Sequence, residues 1–178
     1  SFGDQEAAGK LPDTDTREYY DRHKDEYVKP LRLRVYQILV KAPAAGADRA
    51  KKQDAARKIL AQLRTEEKKN QLAFVAVARE KSEDDATKAL GGDLNFRSRE
   101  DLEKLLGKAA ADTAFGLKDG EISGVVESPQ GFLILKVAGR QEAVERPFEQ
   151  VKAQISQKLY RERKTKEFDE FVKKLRET

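Results

Sequence analysis

The sequence predicts an α+β fold in which a small β-sheet is covered by helices. Two β-branched and apolar runs, residues 122–126 and 132–137, flank a Ser-Pro-Gln-Gly segment. They predict a β-hairpin, because the proline presets φ and the glycine tolerates a positive φ. Residues 31–40 alternate polar and apolar side chains before an apolar end, which predicts another strand. Two strands are not stable alone in water, so residues 47–117 must connect these strands and supply their helical cover.

Composition limits the chemistry that the chain can perform. Its 178 residues are 38% hydrophobic and 38% charged, which suits one ordinary core with a smaller appendage. The absence of cysteine excludes disulfides, thiolate nucleophiles and cysteine-ligated zinc. The single histidine, His23, excludes a metal site built on a pair of histidines, and its charged neighbours Arg22 and Lys24 indicate a surface position. We therefore expect neither a metal nor another cofactor.

Charge and hydropathy limit the partners. The 36 basic and 32 acidic residues are well mixed along the chain and give a net charge of +4. Mixed charge favours a solvated surface over a nucleic-acid footprint by roughly five to one, and only the pI of 9.1 supports nucleic-acid binding. No apolar run approaches the roughly 20 residues that a membrane-spanning helix needs. The chain starts at Ser1 and lacks methionine, which predicts a processed chain or an excised fragment.

The two ends predict helices outside the sheet. Residues 1–12 predict a frayed tail. Thr14 or Thr16 would cap a helix that runs to about Tyr27, and Pro30 would end it. Pro147 fits the first position of a last helix of roughly thirty residues. That helix has two apolar stripes, Phe148, Val151, Ile155 and Leu159, and then Phe168, Phe171, Val172 and Leu175.

The partner of this last helix is open at the level of sequence. It could be the amino-terminal helix, another copy of the chain, or polypeptide outside this chain. The predicted organisation is a tail and helix at residues 1–30, a central domain at 31–140 and a helical extension at 141–178.

The connecting segment predicts a series of helices. Asp48 would cap a long helix with one apolar stripe, and a second helix would span residues 72–81. A short turn at residues 86–90 would precede an extended piece that starts with Gly-Gly-Asp-Leu. Ser98 would cap the next helix, with Asp101 three residues on. The stripe of the long helix comprises Ala55, Ala56, Ile59, Leu60 and Leu63.

Several motifs, taken in order, resemble the parvulin family of peptidyl-prolyl isomerases. They are Tyr36-Gln37-Ile38-Leu39-Val40, Ser82-Glu83-Asp84, Gly91-Gly92-Asp93-Leu94, the run from Ala114 to Ser123, and Gly-Phe-Leu-Ile-Leu-Lys-Val in the hairpin. Each motif is weak alone, but the ordered set over residues 32–138 is specific. The resemblance implies a parvulin-like α+β fold. Its small four-stranded sheet, antiparallel or mixed, would be covered by helices and flanked by amino- and carboxy-terminal helices.

The resemblance also implies a site. The family uses two histidines, one in each central strand, an acid or cysteine after the second helix, and an apolar pocket for proline. Gln37 stands at the first histidine position, Leu133 at the second, and Asp84 at the acid position. Ser128 occupies a hydroxyl position near the hairpin turn, where Gln37 would bond to it across the sheet. The predicted catalytic residues are Gln37, Asp84 and Ser128. The predicted substrate-binding residues are Leu94, Leu102, Ala110, Phe115 and Leu133.

Each of these residues also has a structural interpretation. Leu133 lies in a continuous apolar strand, so a place in the hydrophobic core is favoured by roughly four to one. A helix-capping role for Asp84 is about as well supported as a role in the site. A plain turn residue is somewhat favoured for Ser128.

Two functions follow from the resemblance. The first is a peptidyl-prolyl cis-trans isomerase and foldase that assists the folding of exported proteins. The alternative is a catalytically weak or inactive parvulin-like domain that binds polypeptide as a chaperone module. The flanking helices are similar to those of extracytoplasmic foldases of the SurA and PrsA type, which implies a periplasmic or otherwise exported bacterial protein. The implied partners are unfolded or extended polypeptides containing Xaa-Pro, with self-association through the last helix as a further expectation.

Overall fold

The computed structural model describes residues 13–177, and the predicted α+β class is confirmed. The helices are α1 Asp13–Arg22, α2 Lys24–Tyr27, α3 Ala47–Glu67, α4 Ala73–Lys81, α5 Arg99–Leu106, α6 Lys108–Gly116 and α7 Phe148–Glu177. The strands are β1 Val28–Lys29, β2 Arg32–Lys41, β3 Asp93–Ser98, β4 Val126–Ser128, β5 Gly131–Gln141 and β6 Val144–Glu145. The tail expected at residues 1–12 lies outside the described residues.

These elements form two compact units. Pro30–Glu142 is the larger unit and contains β2 to β5 with helices α3 to α6. The described residues up to Lys29 and those from Ala143 onward form the smaller unit, with α1, α2, β1, β6 and α7. Within residues 13–177, none of the helices combines the length and the apolar character that crossing a bilayer requires.

The larger unit is built on an antiparallel sheet with the strand order β3-β2-β5-β4. Strand β5 pairs with β2 along its whole length, from Arg32 to Lys41. Strand β3 pairs only with the first half of β2, and its last pair places Tyr36 opposite Asp93. The second half of β2 therefore has no strand on that side, and other groups must satisfy its backbone.

Both faces of this sheet are covered, because side chains alternate between the faces along each strand. On one face, Leu33, Val35, Leu39, Leu133, Leu135 and Val137 pack with Leu94, Leu102, Leu106, Ala110, Ala111, Ala114 and Leu117. This set is called the α5/α6 cluster below. On the other face, Ile38 and Ile134 pack with Leu60, Leu63, Phe74, Val77 and Ala78 of α3 and α4. Full burial of each large apolar side chain contributes roughly 1.5–3 kcal/mol to folding.

Helix α3 confirms the predicted apolar stripe but not its predicted cap. Ala56, Leu60 and Leu63 are buried, and Ala55 and Ile59 pack beside them. The prediction of Asp48 as the cap is wrong, because the helix begins at Ala47 after Gly46, whose φ is 96°. Asp48 lies instead in the first turn, where its carboxylate is favourable near the amino-terminal end of the helix dipole.

The elements that follow α3 agree closely with prediction. Helix α4 begins one residue later than expected, with Leu72 at its amino-terminal cap. The short turn is a 3-10 helix at Lys88–Leu90, and the extended piece is β3. The predicted cap of α5 is confirmed, since Ser98 Oγ accepts a hydrogen bond from the Asp101 backbone N–H at 3.2 Å.

The hairpin differs from prediction in its first strand. Regular pairing begins only at Val126, and the predicted start at Ile122 forms a single bridge to Lys136. The interruption occurs because the Ser123 hydroxyl accepts a hydrogen bond from the Leu135 backbone N–H at 2.9 Å. A side chain thus replaces a backbone carbonyl in the ladder, which is a substitution that serine makes readily.

The smaller unit packs α7 against the amino-terminal helices. Tyr20 donates its hydroxyl to the Arg146 carbonyl at 2.9 Å, and its ring packs against Phe148. The helix predicted to run to Tyr27 is interrupted at His23. Its predicted caps at Thr14 and Thr16 are wrong, because α1 already includes Asp13, and the Thr16 hydroxyl donates to the Asp13 carbonyl within the first turn. The pairing of β1 with β6 was not predicted.

The two apolar stripes of α7 have different surroundings. Phe148, Val151 and Ile155 are buried with Tyr20, so the amino-terminal helix is the partner of the first stripe. The second stripe is exposed, with Phe168, Phe171 and Leu175 at 65%, 59% and 60% exposure. At 100° per residue the two stripes point to nearly opposite sides of α7, so α1 cannot cover both.

We expect Gly92→Ala to lower the free energy of unfolding of the larger unit by about 3 kcal/mol or more. The added Cβ would clash with the Gln37 carbonyl oxygen, and alanine would have to adopt the positive φ of 85° found at this position. Urea unfolding followed by circular dichroism measures the loss. Gly120→Ala is the matched control, because Gly120 has a φ of 84° but no atom within 4 Å of an added Cβ. Equal losses in both variants would contradict the steric account.

The ion pair between Arg34 and Asp93 predicts a pH dependence. The hydrogen bond from Arg34, at 2.7 Å, lowers the pKa of Asp93 below its ordinary value of 3.8. A group whose pKa is lowered in the folded state adds to the stability of the fold at pH values above its ordinary pKa. This contribution is lost as the pH falls through the pKa of the folded state. We expect Asp93→Asn to cost roughly 0.5–1 kcal/mol at neutral pH. The difference from wild type should shrink below pH 3.8; a difference that is constant with pH would contradict this.

Candidate active site

The segment after α4 satisfies the open half of β2. The Glu83 backbone N–H donates to the Leu39 carbonyl at 2.8 Å, and the Ser82 hydroxyl accepts from the Leu39 N–H at 3.1 Å. The Glu83 carboxylate accepts from the Lys41 N–H at 3.1 Å, and the Gln37 N–H donates to the Gly92 carbonyl at 2.9 Å. The segment therefore follows the edge of β2, which fixes the next residue, Asp84, beside the strand.

Asp84 joins two buried polar side chains. The Gln37 amide donates to Asp84 Oδ2 at 3.0 Å, and the Thr87 hydroxyl donates to the same oxygen. The amide also lies 3.5 Å from Thr87 Oγ1. Gln37 is 4% exposed and Thr87 is 8% exposed, so both donors are held in place by their surroundings. Within the described chain the second oxygen, Asp84 Oδ1, accepts no hydrogen bond.

An open cleft of 610 Å³ lies next to this carboxylate. Its lining residues are Leu39, Lys41, Ala42, Pro43, Glu83, Asp84, Asp85, Ala86 and Gln130. The end of β2 and the hairpin turn meet here, because the Ala42 N–H donates to the Gln130 carbonyl at 3.1 Å. The cleft thus combines accessible apolar groups from Ala42, Pro43 and Ala86 with charged groups from the segment after α4. It can accept an extended peptide group beside a fixed carboxylate.

The predicted substrate-binding residues lie together, but they are covered. Leu94, Leu102, Ala110 and Leu133 belong to the α5/α6 cluster, with Phe115 packed against it. Leu102 and Ala110 are 0% exposed, Leu133 is 1% and Leu94 is 8%. These residues pack in the core beneath the cleft. Leu39 belongs both to their cluster and to the residues that border the cleft. An aspartate at Leu102 would be buried among apolar side chains, so it would disrupt the fold.

The expected hydrogen bond between Gln37 and Ser128 is wrong. Ser128 lies opposite Gly131 in the hairpin, and its hydroxyl donates to the Gly131 carbonyl at 3.3 Å. Gln37 lies opposite Leu135, four residues further along β5, which is about 13 Å away along the strand. The side chain of Gln37 is directed instead to Asp84. Ser128 therefore acts as a turn residue in this structure.

The sequence did not single out three residues of the site. Thr87 falls within the short turn predicted at residues 86–90, although its spacing from Asp84 is that of one helical turn. Lys41 and Gln130 are exposed residues at the ends of strands, and nothing local distinguishes them from surface residues. No group of three or more acidic, histidine or cysteine residues within 13–177 is arranged to hold a metal ion.

Comparisons with known proteins identify the family of the chain. Residues 11–153 match a family model described as the PPIC-type PPIASE domain. A foldase protein PrsA of Caldanaerobacter subterraneus subsp. tengcongensis is 32% identical over 168 residues, which cover 92% of this chain and 47% of the relative. The chain therefore spans about half the length of this relative.

Solved structures extend the likeness to the fold. A crystal structure of a PpiC-type peptidyl-prolyl cis-trans isomerase domain is 29% identical with a TM-score of 0.55, and covers 65% of this chain and 96% of its own. A structure from work on the SurA-like chaperones PEB4 and Cj1289 of Campylobacter jejuni is 26% identical with a TM-score of 0.57, and covers 98% of this chain and 65% of its own. Since the family model covers most of the sequence, the chain belongs to the PpiC-type peptidyl-prolyl cis-trans isomerase family.

Proposed function

We propose that this chain catalyses the cis-trans isomerisation of Xaa-Pro bonds in unfolded or extended polypeptides. The observation that carries the proposal is the carboxylate of Asp84, which Gln37 and Thr87 hold in an open cleft that is also lined by Ala42, Pro43 and Ala86. Family membership supplies the reaction. The cleft supplies a surface where a proline ring and a polar group can be held together.

The reaction requires no nucleophile and no metal. The barrier of roughly 18–20 kcal/mol arises from amide resonance, which places negative charge on the carbonyl oxygen of the planar bond. A twisted amide loses that charge separation. A carboxylate fixed near the carbonyl therefore disfavours the planar state relative to the twisted one, and an apolar surface that removes water acts in the same direction. In the proposed arrangement Asp84 provides the charge, and the accessible lining residues Ala42, Pro43 and Ala86 provide the apolar contact.

Gln37 takes the place of the first family histidine as a positioning residue. It cannot titrate near neutral pH, but its amide can donate a hydrogen bond to Asp84 at every pH. Leu133 cannot donate at all, and it contributes to the α5/α6 cluster beneath the cleft. The site thus keeps an oriented carboxylate without histidine. The relatives named as foldases favour this assignment over a domain that only binds polypeptide.

We extend the proposal to the folding of exported proteins outside the cytoplasm. The PrsA relative is named a foldase, and one of the Campylobacter jejuni proteins is described as periplasmic. Both support a periplasmic or otherwise extracytoplasmic location. Self-association through the exposed half of α7 stays a prediction, which sedimentation at several protein concentrations tests.

We expect the protein to accelerate cis-trans exchange in short Xaa-Pro peptides, and Asp84→Ala to reduce the acceleration by about tenfold or more. The loss should follow from removal of the fixed charge, since the hydrogen bonds of the Ser82 hydroxyl and the Glu83 backbone N–H to β2 remain. Exchange spectroscopy by NMR measures the rates with and without protein. Glu121→Ala is the control, because Glu121 is exposed and lies outside the cleft.

Two results would contradict this account. Exchange that is equally fast in Asp84→Ala and wild type would remove Asp84 from the mechanism. Peptide binding without any acceleration would leave a polypeptide-binding module in place of an isomerase. The amide spectrum of each variant shows whether the larger unit is still folded.

A further inference from the structure

We propose that the cleft selects polypeptides with a basic residue, lysine or arginine, immediately before the proline. This inference rests on the proposed function and concerns the substrate class of the same site. The cleft is lined by three acidic residues, Glu83, Asp84 and Asp85, and by one basic residue, Lys41. The charge on its walls is therefore negative, although the whole chain carries a net charge of +4.

The three acidic residues that line the cleft have carboxylate oxygens that can still accept hydrogen bonds or an ion pair from a ligand. Asp85 is exposed, and its carboxylate forms no hydrogen bond or ion pair with residues 13–177. Asp84 uses one oxygen for its two donors and leaves the other open within the same range. Glu83 accepts one backbone N–H, that of Lys41. The ammonium group of Lys41 forms no ion pair with the described residues, so it does not neutralise a particular carboxylate.

The negative charge of the cleft would act mainly on the side chain of the residue before the proline. Its carbonyl belongs to the bond that isomerises, so it is fixed against the site more firmly than residues further along. A residue of extended chain spans about 3.3 Å. With the proline ring against the accessible apolar lining of Ala42, Pro43 and Ala86, the preceding side chain lies within reach of Asp84 and Asp85, which are adjacent in the chain and line one wall. A guanidinium or ammonium group is attracted there, and a carboxylate is repelled.

The test uses two end-blocked peptides that carry no other charge and differ only at the residue before proline, which is arginine in one and glutamate in the other. Chemical-shift titration gives the dissociation constants, and exchange spectroscopy gives the rates. We expect the arginine peptide to bind about fivefold more tightly, which is the size expected for an exposed ion pair. Added salt should reduce the preference, because exposed charges are screened.

Asp85→Lys should reduce the ratio of the two dissociation constants to about one or reverse it, because it changes the cleft by two charges. Glu121→Lys is the matched control. Glu121 lies beside Val137, six residues along β5 from Gly131, so it is about 20 Å from the hairpin end of the cleft. This variant has the same net charge as Asp85→Lys, and it should keep the preference of the wild type.

The outcomes separate this inference from the proposed function. A charge preference in binding without accelerated exchange would support the selectivity and contradict the isomerase. Accelerated exchange with equal dissociation constants for both peptides would support the isomerase and overturn the selectivity. Equal loss of preference in Asp85→Lys and Glu121→Lys would also overturn it, since net charge and not the cleft would then be responsible. Absence of binding to either peptide would overturn both.

Discussion

The incomplete pairing of β2 is the constraint on which the site depends. Strand β3 leaves β2 after Tyr36, so the backbone groups beyond it need partners from elsewhere. Ser82 and Glu83 supply most of them, and Gly92 supplies the carbonyl that receives the Gln37 N–H. Because these bonds fix both ends of the segment against β2, they fix Asp84 as well. A glycine is required at position 92 by the close approach of the Gln37 carbonyl.

The apolar residues that support the proposed site and the polar residues that would act on the substrate belong to different parts of the larger unit. The α5/α6 cluster is closed, and its member Leu39 is only 1% exposed where it borders the cleft. The polar residues lie at the edge of β2, where Gln37 and Thr87 direct hydrogen bonds to one oxygen of Asp84. In the proposed site, this arrangement would present an oriented charge without the family's histidines. Isomerisation needs a charge distribution that fits the twisted bond and needs no proton transfer.

Local patterns predicted the fold well because they reflect local physics. Alternation in β2, the stripe of α3 and the cap at Ser98 all depend on neighbouring residues. The predictions were wrong where contacts between residues distant in the sequence determine the structure. The hairpin strand is interrupted by the bond between Ser123 and Leu135, which no periodicity indicates. Asp84 was found through its position in a motif, whereas Thr87, Lys41 and Gln130 join the site only through the packing of separate segments. The register of β5 places Ser128 too far along the strand to meet Gln37.

The most direct test of the central claim is the position of a bound Xaa-Pro peptide. Titration of the isotopically labelled chain should shift the backbone amides of Leu39, Lys41 and Asp85 together with the side-chain amide of Gln37. The Gln37 resonance is decisive, because that group is buried and reports on Asp84 through a 3.0 Å hydrogen bond. Shifts centred instead on the opposite face of the sheet, around Tyr36 and Leu72, with no change at Gln37, would contradict the assignment of the site.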